Sequence, residues 1–212
     1  MEKDKIILVP SYNELASLKV ICKKLKKYKL QFLILDDHST DGTEKWLKAN
    51  KIKFIKNFKN LGYELNLING FRKVLKLKKV KSLITLDGDG QHKIDDILRL
   101  IKLKYHQKFD LIICNRKKMN RWSEKILSTF FYLRYGVKDP TTGFKIYKKK
   151  LLKDLIYNAD NNYFLVDLVY SSIKKNYRIK NFPISTRKKR HSRIGENLAI
   201  HFKILKNLKF IF

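Results

Sequence analysis

Two aspartates one residue apart, Asp87 and Asp89, stand in the run Leu86-Asp87-Gly88-Asp89-Gly90-Gln91-His92. On an extended strand, residues two apart point to the same side, and the intervening and following glycines let backbone and ligand come close. Two neighbouring carboxylates repel unless a cation lies between them and something anionic. A hard divalent ion, bound by oxygen atoms and completed by a diphosphate, resolves that conflict. It would also offset negative charge building on a departing phosphate. Taken alone, the run is equally what an Asp-Gly turn between two elements looks like, and that is its simpler reading.

The run has companions. Pro10-Ser11-Tyr12-Asn13-Glu14 and Asp36-Asp37-His38-Ser39-Thr40-Asp41-Gly42-Thr43 each follow a short apolar segment. Asp41 and Thr43 read as helix caps. Asp36 and Asp37 lie at the end of the apolar segment instead, where a cap is not needed. A chain with 49 Lys and Arg against 19 Asp and Glu has few acids to place. Grouping several of them after apolar runs is hard to explain by solubility.

For these clusters to meet, they must leave the same edge of one sheet. Apolar runs at Ile6–Val9, Phe32–Leu35, Ile52–Ile55, Ser82–Leu86 and Leu111–Cys114 predict five strands. Segments of helical period at Glu14–Leu25, Thr43–Ala49, Leu65–Leu75 and Ile94–Tyr105 supply the crossovers. That alternation predicts an α/β fold with a mostly parallel, Rossmann-like sheet flanked by helices. In such sheets ligands bind beyond the carboxyl ends of the strands, which is where each cluster falls. The second half predicts a helix at Trp122–Tyr135, a turn at Asp139-Pro140-Thr141-Thr142-Gly143, a helix at Phe164–Lys175 and a strand near Arg178–Ile184. A basic stretch, Arg187–Arg193, follows. We expect one domain over 1–196, with a first half at 1–115 and a second at 116–196, and then an amphipathic C-terminal helix at 197–212.

The composition, 212 residues with 44% hydrophobic content, suits one substantial core. The formal net charge of +30 attracts nucleic acid, anionic lipid and phosphorylated substrates alike. The excess is mostly Lys in a chain also rich in Ile, Asn, Phe and Tyr, a joint bias that an AT-rich genome would produce. Runs such as Lys148-Lys149-Lys150 therefore also read as solvated faces. Cys22 and Cys114 sit among apolar neighbours without metal-ligand spacing, so buried free thiols in a reducing compartment are expected. The N-terminus lacks the pattern of a signal peptide, and no apolar stretch reaches bilayer length. The expected location is cytoplasmic, peripheral on the inner face of the membrane. In the C-terminal segment Leu198, Phe202, Leu205, Leu208 and Phe212 share one helical face. That face would lie either in an anionic membrane interface or on the protein's own core.

In order and spacing, the motifs Pro10–Glu14, Asp36–Thr43, Asn60-Leu61-Gly62 and Asp87–His92 resemble the family 2 glycosyltransferases, which have the GT-A fold. The sequence looks most similar to their dolichol- or polyprenyl-phosphate sugar transferase branch. Asp139-Pro140-Thr141-Thr142-Gly143-Phe144-Lys145 is similar to that branch's Asp-x-x-Ser-Gly-Phe-Arg segment, and Phe164–Asp167 sits where the branch has an aromatic residue followed by Glu. The resemblance covers roughly residues 5 to 195.

It implies an inverting hexosyl transfer, dependent on Mg²⁺ or Mn²⁺, from a nucleotide-diphosphate sugar of the GDP-mannose or UDP-glucose type to a polyprenyl or dolichyl phosphate. A saccharide hydroxyl in cell-surface polysaccharide synthesis is the alternative acceptor. It further implies that Pro10, Tyr12, Glu14, Asp37 and Asp87 hold the nucleotide, and that Asp87, Asp89 and Gln91 hold the metal. Asp139, Thr142, Gly143, Lys145 and Arg187 would meet the donor sugar or the acceptor. Asp89, Asp167 and Arg190 would serve catalysis, with Asp167 the base if the acceptor is a hydroxyl.

The chain departs from the family at Tyr63-Glu64-Leu65, where Lys, Gly and Ala often follow the Asn-x-Gly, and at Lys93, where Pro is usual. Its tail, Arg187–Gly195, matches the family's late Arg-x-x-Gly-x-Ser-Lys motif only loosely, and reads as a lid over a phosphate or as a solvated basic loop. A basic nucleic-acid-binding protein is the rival of another class. It leaves the acidic strand ends unexplained, so no nucleic acid is expected as partner.

Overall fold

The computed structural model describes residues 4–119, 121–156, 164–187 and 198–210. Its centre is a seven-stranded sheet. Six strands run in one direction, four on one side and two on the other side of a single reversed strand. β1 (Lys5–Ser11) lies between β2 (Phe32–Asp36) and β4 (Ser82–Thr85), and β3 (Phe54–Lys56) forms the edge beyond β2. On the other side β5 (Leu111–Arg116) is parallel to β7 (Ile179–Ile184). Between β4 and β5 runs β6 (Lys145–Lys148), antiparallel to both.

The helices α1 (Leu15–Lys27), α2 (Thr43–Ala49), α3 (Tyr63–Leu75) and α4 (Ile94–Lys102) form the crossovers. A short α5 (Tyr105–Lys108) follows α4, and then come α6 (Trp122–Tyr135), α7 (Lys149–Leu155) and α8 (Phe164–Lys174). Alternation along the strands feeds two cores. Ile6 and Leu8 of β1 face α3, α6, α7 and α8, whereas Ile7 and Val9 face α1, α2 and α4. The helices meet these faces with stripes at i, i+3, i+4 and i+7, such as Leu18, Ile21, Cys22 and Leu25 of α1. Both cysteines are buried and unbridged.

Several elements differ from the sequence expectation. The third strand starts at Phe54, because Ile52 is spent closing α2, its amide donating to the Leu47 carbonyl at 3.0 Å. The fourth helix breaks at Leu103, where Lys104 takes φ +52° and starts a second turn. β6 and α7 were not expected at all. The stretch Lys145-Ile146-Tyr147-Lys148 looks like the start of a charged run, but Lys145 and Tyr147 are wholly buried. Lys145 donates from Nζ to the Thr142 carbonyl, and Lys148 pairs with Asp110 at 2.9 Å.

The C-terminal segment forms α9 (Leu198–Leu205) and a 3₁₀ turn, Lys206–Phe210, instead of one continuous helix. Its inward face also differs from the expected stripe. His201 and Asn207 are buried and Ile204 and Leu208 pack on the core, while Leu198 and Phe202 are 71% and 65% exposed. Phe212 and Arg190 lie outside the described residues. Among the described residues, no helix is long and apolar enough to cross a membrane.

Candidate active site

Register brings the strand ends into line. Ser11 pairs with Asp36, and Asp36 with Lys56, so the loops after β1 and β2 and the strand β3 end on one edge. The loop after β4 leaves the same edge, as does Arg116 at the end of β5. Because β6 is antiparallel, its beginning lies there too, and Gly143 arrives beside Asp87. The result is a cleft of about 850 Å³ whose lining includes six acids, Glu14, Asp37, Asp41, Asp87, Asp89 and Glu124, and two cations, Arg116 and Arg121. An excess of acid here, in a chain of net charge +30, is a local arrangement and not a reflection of composition.

Asp87 is held on both oxygens. Tyr63 Oη donates to Oδ1 at 2.6 Å, and His92 Nε2 lies 3.0 Å from Oδ2. Burial alone would raise this carboxyl. The hydrogen bond and charge of His92, helped by Tyr63 and Arg116, outweigh burial and hold it below the usual carboxylate range. Gly143 completes the enclosure, since a Cβ there would sit 2.1 Å from Asp87 Oδ1. Asp89 takes a different environment. Its Oδ1 accepts from the Gln91 amide at 3.0 Å and its Oδ2 from Gln91 Nε2 at 2.7 Å, in a tight loop where Gly90 adopts φ +76°.

Asp37 pins the loop after β3. Oδ1 accepts from Asn57 Nδ2 at 2.8 Å and from the Leu61 amide at 2.9 Å, and Oδ2 accepts from the Gly62 amide at 2.8 Å. Asn66 continues the network to Asn57 and to the Leu35 carbonyl. Asp41 joins two helix starts: Oδ2 accepts from the Leu15 amide of α1 and Oδ1 from the Thr43 amide of α2, at 2.9 and 3.1 Å. Pro10, Tyr12 and Glu14 line the cleft, and Tyr12 is 44% exposed there.

The far wall is ionic. Arg116 donates to Asp139 through Nε at 2.8 Å and Nη2 at 3.0 Å, and through Nη2 to Thr141 Oγ1 at 2.9 Å. Glu124 lies 3.3 Å from Arg116 and 2.9 Å from Arg121. Burial opposes the charge on Arg116, but Asp139 overrides it and raises the guanidinium further; burial likewise opposes the Asp139 carboxylate, and Arg116 keeps it low. Lys145, fully enclosed, is brought down to about 8 by burial, with Asp139 and Asp87 opposing that fall.

Of the residues singled out from the sequence, Pro10, Tyr12, Glu14, Asp37, Asp87, Asp89, Gln91 and Gly143 line this one cleft. Asp139, Thr142 and Lys145 do not reach its surface. They are fully buried behind it, and Arg116, anchored by Asp139, presents the charge instead. Arg187 is exposed and its amide donates to the Gln91 carbonyl at 2.9 Å, so the basic stretch starts beside the Asp89 loop. Asp167 is half-buried in the first turn of α8, accepts weakly from Ser171 Oγ at 3.5 Å, and is not on the cleft lining.

Sequence reasoning passed over Arg116, Arg121, Glu124 and Asn57, and assigned no role to Tyr63 or His92. The rule that found the aspartates, polar residues just after a strand, would also have found Arg116.

The model of glycosyl transferase family 2 matches residues 6–156. This chain belongs to that family. An uncharacterised protein of Methanocaldococcus jannaschii is 31% identical over 169 residues, covering 71% of this chain and 74% of the relative. The UDP-N-acetylglucosamine–dolichyl-phosphate N-acetylglucosaminyltransferase of Methanococcus voltae is 27% identical over 97% of this chain and 95% of its own length. Among solved structures, glucosyl-3-phosphoglycerate synthase of Mycobacterium tuberculosis, crystallised with Mn²⁺, UDP and glucosyl-3-phosphoglycerate, superposes with a TM-score of 0.76. The match has 14% identity and covers 98% of this chain and 79% of that one. The fold is therefore that of the GT-A glycosyltransferases, and the resemblance to the polyprenyl-phosphate branch stands.

Proposed function

We propose that this family 2 glycosyltransferase moves a hexose, with inversion, from a nucleotide-diphosphate sugar to a polyprenyl phosphate. The observation that carries the reading is the cleft, where a loop bearing Asp89 and Gln91 faces a wall bearing Arg116 and Arg121. The near relative from Methanococcus voltae, by its name, acts on dolichyl phosphate, and this supports the acceptor class.

A divalent cation fits the donor set. Asp89 offers carboxylate oxygens at the cleft surface, and Gln91, whose amide nitrogen is turned to Asp89, has its carbonyl oxygen left for a ligand. Among the described residues no three His, Cys, Asp or Glu side chains form a closed cage. A hard cation at Asp89 and Gln91 would therefore need a substrate's diphosphate to complete its shell. When bound, Mg²⁺ or Mn²⁺ would supply positive charge to the departing diphosphate.

The chain's own residues do the rest. Tyr12, exposed on the cleft wall, presents a ring for a base to stack on, and Glu14 offers a carboxylate to donors on a nucleotide. Asp37 orders the Asn60–Gly62 loop and so shapes the pocket wall. Asp87, clamped by Tyr63, His92 and Gly143, keeps the Asp89 loop in position for attack in line with the leaving group. Arg116, whose Nε and Nη2 donate to Asp139 and Thr141, and Arg121, paired with Glu124, put fixed positive charge on the cleft wall that would attract phosphate oxygens.

A lipid phosphate is already ionised at neutral pH and needs no base. Asp167, the candidate base for a hydroxyl acceptor, would be needed only if a hydroxyl attacks. Incubation with Mn²⁺ and a panel of nucleotide sugars tests the reading. Nucleoside diphosphate release from one donor should depend on added polyprenyl phosphate. Release that requires a saccharide acceptor instead, and ignores the lipid, would favour the hydroxyl reading.

A further inference from the structure

α6 is apolar on two sides. Leu127 and Phe131 are buried in the core, yet Trp122, Ile126, Phe130 and Leu133 form a second stripe at i, i+4, i+8 and i+11 that stays exposed, Leu133 by 75%. The stripe is about 16 Å long at the helical rise. α9 widens it. His201 stacks on Trp122 with ring centroids 4.7 Å apart and lies 2.8 Å from Ser123 Oγ, so the exposed Leu198 and Phe202 lie next to the α6 stripe. A helix that is apolar all round is ordinarily covered on all sides.

Among the described residues, the exposed charges on and just beyond α6 and α9 share one sign. Lys125, Arg134 and Lys138 are exposed along and just after α6, as are Lys206 and Lys209 beyond α9. Glu124, the one acid of α6, is buried against Arg116 and Arg121. Lys138 lies 5.5 Å from the Tyr132 ring centroid, an aromatic and a cation side by side. The patch also abuts the cleft, since Arg121 immediately precedes α6 and lines it together with Glu124.

We propose that α6 and α9 together form a docking face for an anionic bilayer, with the cleft mouth held at headgroup level. Exposed large apolar side chains would enter the interface while the flanking cations meet lipid phosphates. A second copy of the chain fits the face less well, because joining two such faces would oppose cations of equal sign in a molecule of net charge +30. The inference deepens the polyprenyl-phosphate reading, which needs an acceptor delivered from a membrane, but docking can be measured without any transfer reaction.

The test uses the full chain and phosphatidylcholine vesicles with and without phosphatidylglycerol. Wild-type protein should sediment with the phosphatidylglycerol vesicles, and a Trp46→Phe background should show the Trp122 emission shift to the blue on binding. Leu133→Glu combined with Phe202→Glu should weaken vesicle partitioning by at least about tenfold while the melting temperature and monomer mass are kept. Binding by the double variant equal to wild type would assign the attraction to general lysine charge and overturn the docking face, as would failure of the wild type to bind. Light scattering that shows a wild-type dimer broken by the double variant would overturn it in favour of self-association. None of these results touches nucleoside diphosphate release to a water-soluble acceptor, so the transferase reading stands or falls separately.

Discussion

Asp87 and Asp89 both line the cleft half-buried but have different partners. The first is held by Tyr63 and His92 with Gly143 against it, and the second sits in a loop closed by Gln91. Asp89→Ala should therefore lower kcat by about 100-fold or more, the scale of about 3 kcal/mol of charge stabilisation. Its melting temperature should stay the same or rise, since a repelling charge is gone; full turnover at saturating Mn²⁺ would refute the assignment. The Tyr63 hydroxyl occupies an oxygen of Asp87 that a cation could otherwise use. Tyr63→Phe should accordingly tighten Mn²⁺ binding measured by calorimetry on the free protein, and weaker binding would mean that Tyr63 orients Asp87 as a direct ligand. The Asp87 carboxyl also carries a pH signature. Its folded value lies below the ordinary 3.8, so its stabilisation is present above that value and is lost as the pH falls below it. Urea midpoints at pH 5 and pH 3 should differ less in Asp87→Asn than in wild type.

At the scale of elements, β6 decides the site. Inserted in reverse between β4 and β5, it delivers Gly143 to Asp87 and sets Lys145 and Tyr147 in the interior. The turn before it holds Asp139 against Arg116 with no solvent exposure of the carboxylate. Arg116→Met would leave that carboxylate buried without its main partner, a cost of about 3 to 5 kcal/mol. Urea denaturation should show that loss, and the double variant with Asp139→Leu should recover part of it, because removing both charges is far cheaper than removing one. The strand was illegible in the sequence because Lys-Ile-Tyr-Lys puts a lysine on each face and runs straight into Lys149-Lys150, so it reads as the start of a charged run. The interior lysine is tolerated only because Asp139 and the Thr142 carbonyl lie within reach. The first four crossover units, by contrast, were legible from apolar runs and helical stripes, since each needs only local periodicity.

Over the whole molecule, 49 cations against 19 acids impose self-repulsion on the folded state. Added NaCl should raise the melting temperature by screening it, and a fall instead would mean that attractive pairs such as Lys148–Asp110 and Arg178–Asp110 dominate. Against that background the cleft is an acidic exception and the α6–α9 face an apolar one. By itself the sequence determined the α/β class, the strands that end in acids, and the family, because periodicity and motif order are properties of the chain read in a line. It did not determine which partners hold each aspartate, that Arg116 stands where Lys145 was expected, or that Leu198 and Phe202 turn outward. Those depend on strand order, on one reversed strand, and on which side of a helix meets a distant neighbour. Only the tertiary structure decides them, since they follow from contacts between segments far apart along the chain.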